Sequence, residues 1–387
     1  MLHCILISDN READELLGAL TRASSSLILE RVVPAAPGSY ALTMALHTMS
    51  LDVIFLDIAD VAKAKALSAQ IRDQYPKVPI IGFDINGNGS HTNVTRFTLG
   101  PPFSVDRIEV TVREAVTAGA IRPYENVAAI LPAKAGGGAS TIAVNTAGQL
   151  GRRFGKRVLV AECDLRSGAI AETLDLQPKV SMGQTLQLAD SAETLIWTRH
   201  VCSKDGVDFL LTAREPDGYR PEWHDYHHLL SFVSKKYDFV IFDLPELINS
   251  ATSEVVRAAK TVYVMTTPEF ISLKLARQRL AELRSAGATP QAVRILVNRH
   301  HSSDPSPDEI ADLLECPVEL AIPNDYRTVQ AAAQANTFVS ERTALGRSYT
   351  QIGSMLAGQP ASAQPKRSIF GMLKPVRGYA ESPTRAA

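Results

Sequence analysis

The stretch VAAILPAKAGGGASTIAVNTAGQL, residues 127–150, decides the fold. Its first seven residues (127–133) are almost wholly apolar and read as a strand buried on both faces. Three consecutive glycines follow, Gly136, Gly137 and Gly138, and then a run with helical spacing that opens at Ser140 and Thr141. Strand, glycine loop and helix in that order suit a bulky anion. Glycines let the backbone approach closely, successive N–H groups turn inward, and the helix N-terminus adds partial positive charge. A hydroxyl in the first helical turn is placed to ligate Mg²⁺. Taken alone, the segment reads equally well as a glycine-rich turn.

The neighbouring sequence extends the pattern. RVLVAECD (157–164), VDFLLTA (207–213), YDFVIFDLP (237–245), TVYVMTTP (261–268) and VRILVNR (293–299) read as further strands, and PVELAIP (317–323) as a short last one. ISLKLARQRLAELRSAG (271–287) is an amphipathic helix closed by Gly287, and residues 326–357 have a helical pattern. Strands alternating with helices predict a parallel sheet covered on both faces. Asp164 and Asp243 fall at or just beyond strand C-termini, where carboxylates can manage a metal and its waters. Each is also a common turn or cap residue.

A separate α/β unit precedes this one. HCILIS (3–8), LDVIFLDI (51–58) and VPIIGFDI (78–85) alternate with helical stretches at 10–23, 61–75 and 105–118. The expected organisation is a unit over 1–120, a linker at 121–126 (IRPYEN), the glycine-loop domain at 127–357, and a disordered basic tail at 358–387. Within that tail, SIFGMLKPV (368–376) is an apolar island flanked by basic residues, a short candidate for contact with an anionic membrane surface.

Composition narrows the function classes. Of the 387 residues, 40 are basic and 41 acidic, a balance that argues against a protein built to coat nucleic acid. The four cysteines are scattered and form no CxxC pair, which disfavours zinc modules and a disulfide framework. No apolar run approaches a membrane span and the N-terminus lacks a signal-peptide pattern, so the expected location is the cytoplasm. His224, His227 and His228 share a helical stretch but lack a fourth ligand nearby, and read as an exposed helix rather than a metal site.

K-A-G-G-G-A-S-T (134–141) resembles the deviant Walker A loop of the MinD/ParA superfamily, in which two lysines bracket the glycines. The resemblance implies a P-loop NTPase domain that takes ATP and Mg²⁺ on Gly136, Gly137, Gly138, Ala139, Ser140 and Thr141. Lys134 matches the lysine that crosses a dimer interface to the partner's phosphates, whereas Ala139 stands where the usual P-loop lysine would be. By the same resemblance Ser140, Asp164 and Asp243 serve the metal, Asp164 and Lys134 serve catalysis, Asn298 contacts adenine, and Pro323 lies beside the base. Losing the cation at 139 weakens phosphate binding and transition-state stabilisation, leaving turnover open.

VLVAECDLRSGAIAETLDLQP (158–178), YDFVIFDLPELINSATSEVVRAAKTVYVMTTPEFISLKLARQRLAEL (237–283) and LVNRHH (296–301) resemble the CpaE/TadZ branch, which serves assembly of tight-adherence (Flp-type) pili. That branch implies a homodimer at the cell pole that recruits a pilus secretion ATPase and other assembly proteins. It implies no specific nucleic acid, and the tail is the candidate for contact with the inner membrane surface. It also pairs the P-loop domain with a flavodoxin-like receiver. Residues 1–120 resemble a receiver, with Asp57 at the phosphoacceptor position and Asp9 in the acid pocket. Asp84 occupies the hydroxyl position and Pro101–Pro102 the Lys-Pro position, so a pseudo-receiver is expected. Three other readings stay open: an active MinD/ParA-type ATPase cycling on membrane or nucleoid, a scaffold that binds no nucleotide, and a switch regulated by phosphorylation of Asp57.

Overall fold

The computed structural model describes residues 1–48, 51–76, 78–87, 94–118, 123–187, 197–214, 218–249 and 251–358. The tail beyond 358 and the first two residues of the expected linker, 121–122, lie outside the described residues. No helix among the described residues is long and apolar enough to cross a membrane.

The first sheet comprises β1 (Leu2–Ile7), β2 (Leu27–Val33), β3 (Val53–Asp57), β4 (Ile80–Phe83) and β5 (Phe97–Leu99). All of its pairings are parallel, in the order β2-β1-β3-β4-β5. Alternation along the strands feeds two cores. Leu6, Phe55 and Phe83 pack with Leu17 and Val112 on one face, and Ile5, Ile54 and Leu56 with Leu42, Leu67 and Ile71 on the other. The sequence reading missed β2, β5 and the helix Tyr40–Thr48. Both strands lie at sheet edges, and β2 carries exposed Glu30 and Arg31 in its middle, which breaks the apolar run.

The second sheet comprises β6 (Tyr124–Pro132), β7 (Val158–Glu162), β8 (Cys202–Lys204), β9 (Val207–Leu210), β10 (Phe239–Asp243), β11 (Ala259–Thr266), β12 (Val293–His300) and β13 (Val318–Pro323). Its order is β13-β12-β11-β6-β10-β7-β9-β8. Every pairing is parallel except β8 with β9, a hairpin turned by Asp205 and Gly206, both at positive φ. The helix Ala139–Phe154 packs on one face with Phe338, Tyr349 and Ile352, and the helices Trp223–Lys236 and Phe270–Ser285 cover the other.

Two expectations need correction. The linker expected at 121–126 enters β6 at Tyr124, so the strand starts before Val127. Tyr124 pairs with Ala259, and the Asn126 side chain donates to the Ser234 and Tyr237 carbonyls, each at 2.8 Å. A central strand flanked by β10 and β11 finds partners beyond its apolar stretch. The histidine helix is not exposed: His224 is buried, and His227 Nδ1 lies 3.1 Å from Glu254 Oε1. No group of three or more His, Cys, Asp or Glu side chains that could hold a metal by themselves occurs among the described residues.

The two units meet. Trp223, at the start of its helix, is buried in the apolar cluster that holds Ala115 and Val116 of the first unit. Beside it, the Arg113 guanidinium donates to Ser253 Oγ at 2.6 Å.

Candidate functional site

β6, β7 and β10 run parallel, so their C-terminal ends open on one edge of the sheet. There a cavity of about 380 Å³ forms over the glycine loop. It is lined by Gly136, Gly137, Gly138, Ala139, Ser140 and Thr141, with Glu162, Asp164, Asp243, Glu246 and Arg299 around them. The loop demands its glycines. Gly136 and Gly138 have φ of +75° and +102°, and a Cβ on Gly138 would meet Asn298 Nδ2 at 2.6 Å. A Cβ on Gly137 would meet the Met265 Cε at 2.5 Å. Gly138 caps the helix Ala139–Phe154, whose first N–H groups border the cavity.

Asp243 ends β10 and is only 4% exposed. Burial pushes its carboxyl up to about 7; the Ser140 hydroxyl partly offsets this, and the charges of Glu162 and Asp164 add to it. Its Oδ1 is buried with no hydrogen-bond partner among the described residues. A buried, unsatisfied acidic oxygen beside a serine hydroxyl suits a hydrated divalent cation. The donors present therefore fit Mg²⁺. Asp164 closes a turn, accepting from the Arg166 and Ser167 N–H groups at 3.1 and 3.0 Å.

The remaining predicted residues divide. Lys134 is exposed and does not line the cavity. Asn298 braces the loop: its Nδ2 donates to the Gly137 carbonyl at 2.8 Å. Pro323 ends β13 opposite His300. Neither Asn298 nor Pro323 lines this cavity, nor the adjoining one of about 230 Å³ between Ser140, Thr141, Val144, Ile170 and Val329.

Three lining residues escaped the sequence reading. Glu162, 1% exposed, accepts from Ile170 N–H and from the Thr212 N–H and hydroxyl, tying the segment after β7 to the end of β9. Its signal was a carboxylate inside an apolar strand. Glu246 accepts from the Ala135 N–H at 2.8 Å and lies 3.8 Å from Arg279. Arg299 donates to the Gly136 carbonyl at 2.9 Å.

In the first unit Asp57 lies in a separate cavity of about 470 Å³ with Asp9, Asn10, Asp60 and Lys63. Asp57 accepts from the Ser8 hydroxyl at 2.8 Å and the Ala59 N–H at 3.0 Å. The pocket nevertheless holds a cation, because Lys63 ion-pairs with Asp9 and holds its carboxyl below the usual value. The cation comes from the helix Val61–Gln74 instead of the Pro101–Pro102 position. Asn10 is spent capping the helix Arg11–Ala23, and buried Asp84 accepts from the Asn86 N–H outside the pocket.

No protein-family model matches this chain, and no curated protein matches it. Solved structures do. A ParA family ATPase from Chlorobium tepidum TLS is 21% identical with a TM-score of 0.56, over 59% of this chain and 98% of that one. The MinC:MinD cell division protein complex of Aquifex aeolicus matches at 17% identity and TM-score 0.51, over 66% and 100%. MinD of Aquifex aeolicus matches at 18% and 0.50, over 60% and 98%. At these identities the likeness is one of architecture: the larger unit has the α/β parallel-sheet fold of the MinD/ParA P-loop ATPases.

Proposed function

We propose that this chain binds ATP with Mg²⁺ over the 134–141 loop and acts as a nucleotide-controlled dimer that organises tight-adherence pilus assembly, in the manner of CpaE/TadZ proteins. The observation that carries the nucleotide reading is the buried Asp243 Oδ1 without a partner, set beside Ser140 at the mouth of a glycine loop. The backbone amides of the loop and of the first helical turn would hold the phosphates. Ser140 and Asp243 would hold the metal through its waters, and Asp164 would orient water at the same edge. The metal, when bound, neutralises phosphate charge. With alanine at 139, hydrolysis is slow and the ligand serves mainly as a switch.

Dimerisation has its own support. Leu247, Phe270 and Ile271 are 73%, 77% and 54% exposed, and they follow β10 and β11 at the sheet edge that carries the cavity. Lys134 is exposed just beyond β6, and in this reading it would serve a second copy. A ligand that prefers the dimer shifts the population toward it. One fold neighbour was solved as a complex with MinC, which supports reading this fold as a platform for partners. For the first unit, the strand order and the Asp57 pocket support a receiver-like domain that serves as a docking surface. The cytoplasmic face of the cell pole is the proposed place of action.

Calorimetry of the full chain with ATP and Mg²⁺, paired with light scattering, tests this. The expected result is saturable binding and a shift from monomer to dimer. Lys134→Ala should keep binding in the monomer and lose the shift. Absence of heat with every adenine nucleotide, on folded material, removes the nucleotide reading.

A further inference from the structure

Among the described residues Arg299 is the only basic one lining the cavity of the glycine loop, which four carboxylates also border: Glu162, Asp164, Asp243 and Glu246. A polyphosphate entering such a site needs a cation from the protein as well as from its metal. The side chain at 139, buried at 5% exposure, supplies none.

Three features of β12 converge on Arg299. The register with β13 breaks between Val297 and His300, so that three steps along β12 match two along β13. This is a bulge, a device that re-aims a side chain near a site. Arg299 itself has φ of +57°, a left-handed conformation that a residue bearing a Cβ rarely adopts. Asn298 sustains that turn, since its Oδ1 accepts the Arg299 N–H at 3.0 Å while its Nδ2 grips the Gly137 carbonyl. The outcome is a guanidinium on the loop, donating to the Gly136 carbonyl at 2.9 Å. A guanidinium carries five N–H donors, so one carbonyl does not exhaust it. Local strain sustained next to a ligand cavity points to function.

We propose that Arg299 replaces the cation missing at Ala139, delivering a guanidinium from the far strand to the phosphates of a nucleoside triphosphate. The inference rests on the nucleotide reading above. Arginine suits the role because its planar fork matches phosphate oxygens in pairs.

The test is calorimetry on the full chain with ATP–Mg²⁺ and, separately, adenosine, for wild type, Arg299→Ala, Arg299→Lys and the double variant Ala139→Lys/Arg299→Ala. Circular dichroism checks the fold of each. Arg299→Ala should weaken ATP at least about tenfold, the scale of one charge-assisted hydrogen bond, and leave adenosine unchanged. Arg299→Lys should recover part of the loss, and lysine at 139 most of it. Wild-type affinity in Arg299→Ala overturns the inference while the nucleotide reading stands. Equal losses for ATP and adenosine, without rescue from position 139, mark Arg299 as a brace of the loop and overturn it too. A wild type that binds neither ligand removes both proposals together.

Discussion

Asp243 serves two opposing demands. Burial favours its neutral form, whereas a metal requires its anion. Its folded-state value of about 7 stands above the ordinary carboxylate value of 3.8, so the fold binds more protons than the unfolded chain between those limits. Without ligand, this group therefore makes the fold less stable as pH rises from about 4 to 7, and the full penalty persists above 7. Asp243→Asn should accordingly stabilise the ligand-free protein by up to about 4 kcal/mol at pH 8, an advantage that shrinks toward pH 4. Urea unfolding at several pH values measures it; a pH-independent difference would refute the assignment. The same variant should lose most of the Mg²⁺ dependence of nucleotide binding. Gly136, Gly137, Gly138 and Ser140 were legible as cavity residues because a glycine loop joins a strand to a helix there, and Asp164 and Asp243 because each sits at or just past a recognisable strand end. Arg299 and Glu246 were not, since their place depends on a bulge and on the path of a loop after β10. Asn298 illustrates the converse. The sequence places it at the right strand end, but its amide grips the glycine loop.

Among the elements, the helix Ala139–Phe154 carries the closest packing. Its central residues Ile142 to Leu150 are all buried, and Gly148 lies against the Phe338 ring, where a Cβ would meet Cδ2 at 2.5 Å. Phe338 cannot give way freely, because Arg152 covers its ring at 4.8 Å and Phe209 packs on it. Gly148→Val should destabilise by about 1–3 kcal/mol through overpacking, read as a lower denaturation midpoint with an unchanged denaturant slope. A neutral result would show that the Phe338 segment moves independently of the helix. This helix was readable from its helical spacing, and the central strands from their unbroken apolar runs. The edge strands β2 and β5 were not. An edge strand carries polar residues that hide its period, and β5 spans only Phe97–Leu99.

At the scale of the whole molecule, the joint between the units runs through the helix Val105–Ala118 on one side and Trp223, Ser253 and Glu254 on the other. Burial raises the Glu254 carboxyl, but the hydrogen bond from His227 and the charge of Arg257 outweigh it and hold the group below its ordinary value. Ser253, which receives Arg113, precedes Glu254 on a short helix that follows the loop after β10. The first unit thus touches the element leading away from Asp243. Trp223→Ala should cost about 3–5 kcal/mol by opening a void in that shared cluster, and should separate the unfolding of the first unit from that of the second. Coincident transitions by circular dichroism and calorimetry would show that the joint is not held there.

The chain has two tryptophans, and they watch different places. Trp197 is enclosed in the larger unit, its indole N–H bonded to the Tyr237 hydroxyl, while Trp223 sits where the units touch. Parting the units would wet one indole and leave the other dry. The molecule therefore contains a native optical gauge of its own articulation, with Trp223 emission moving to the red while Trp197 holds steady as an internal standard.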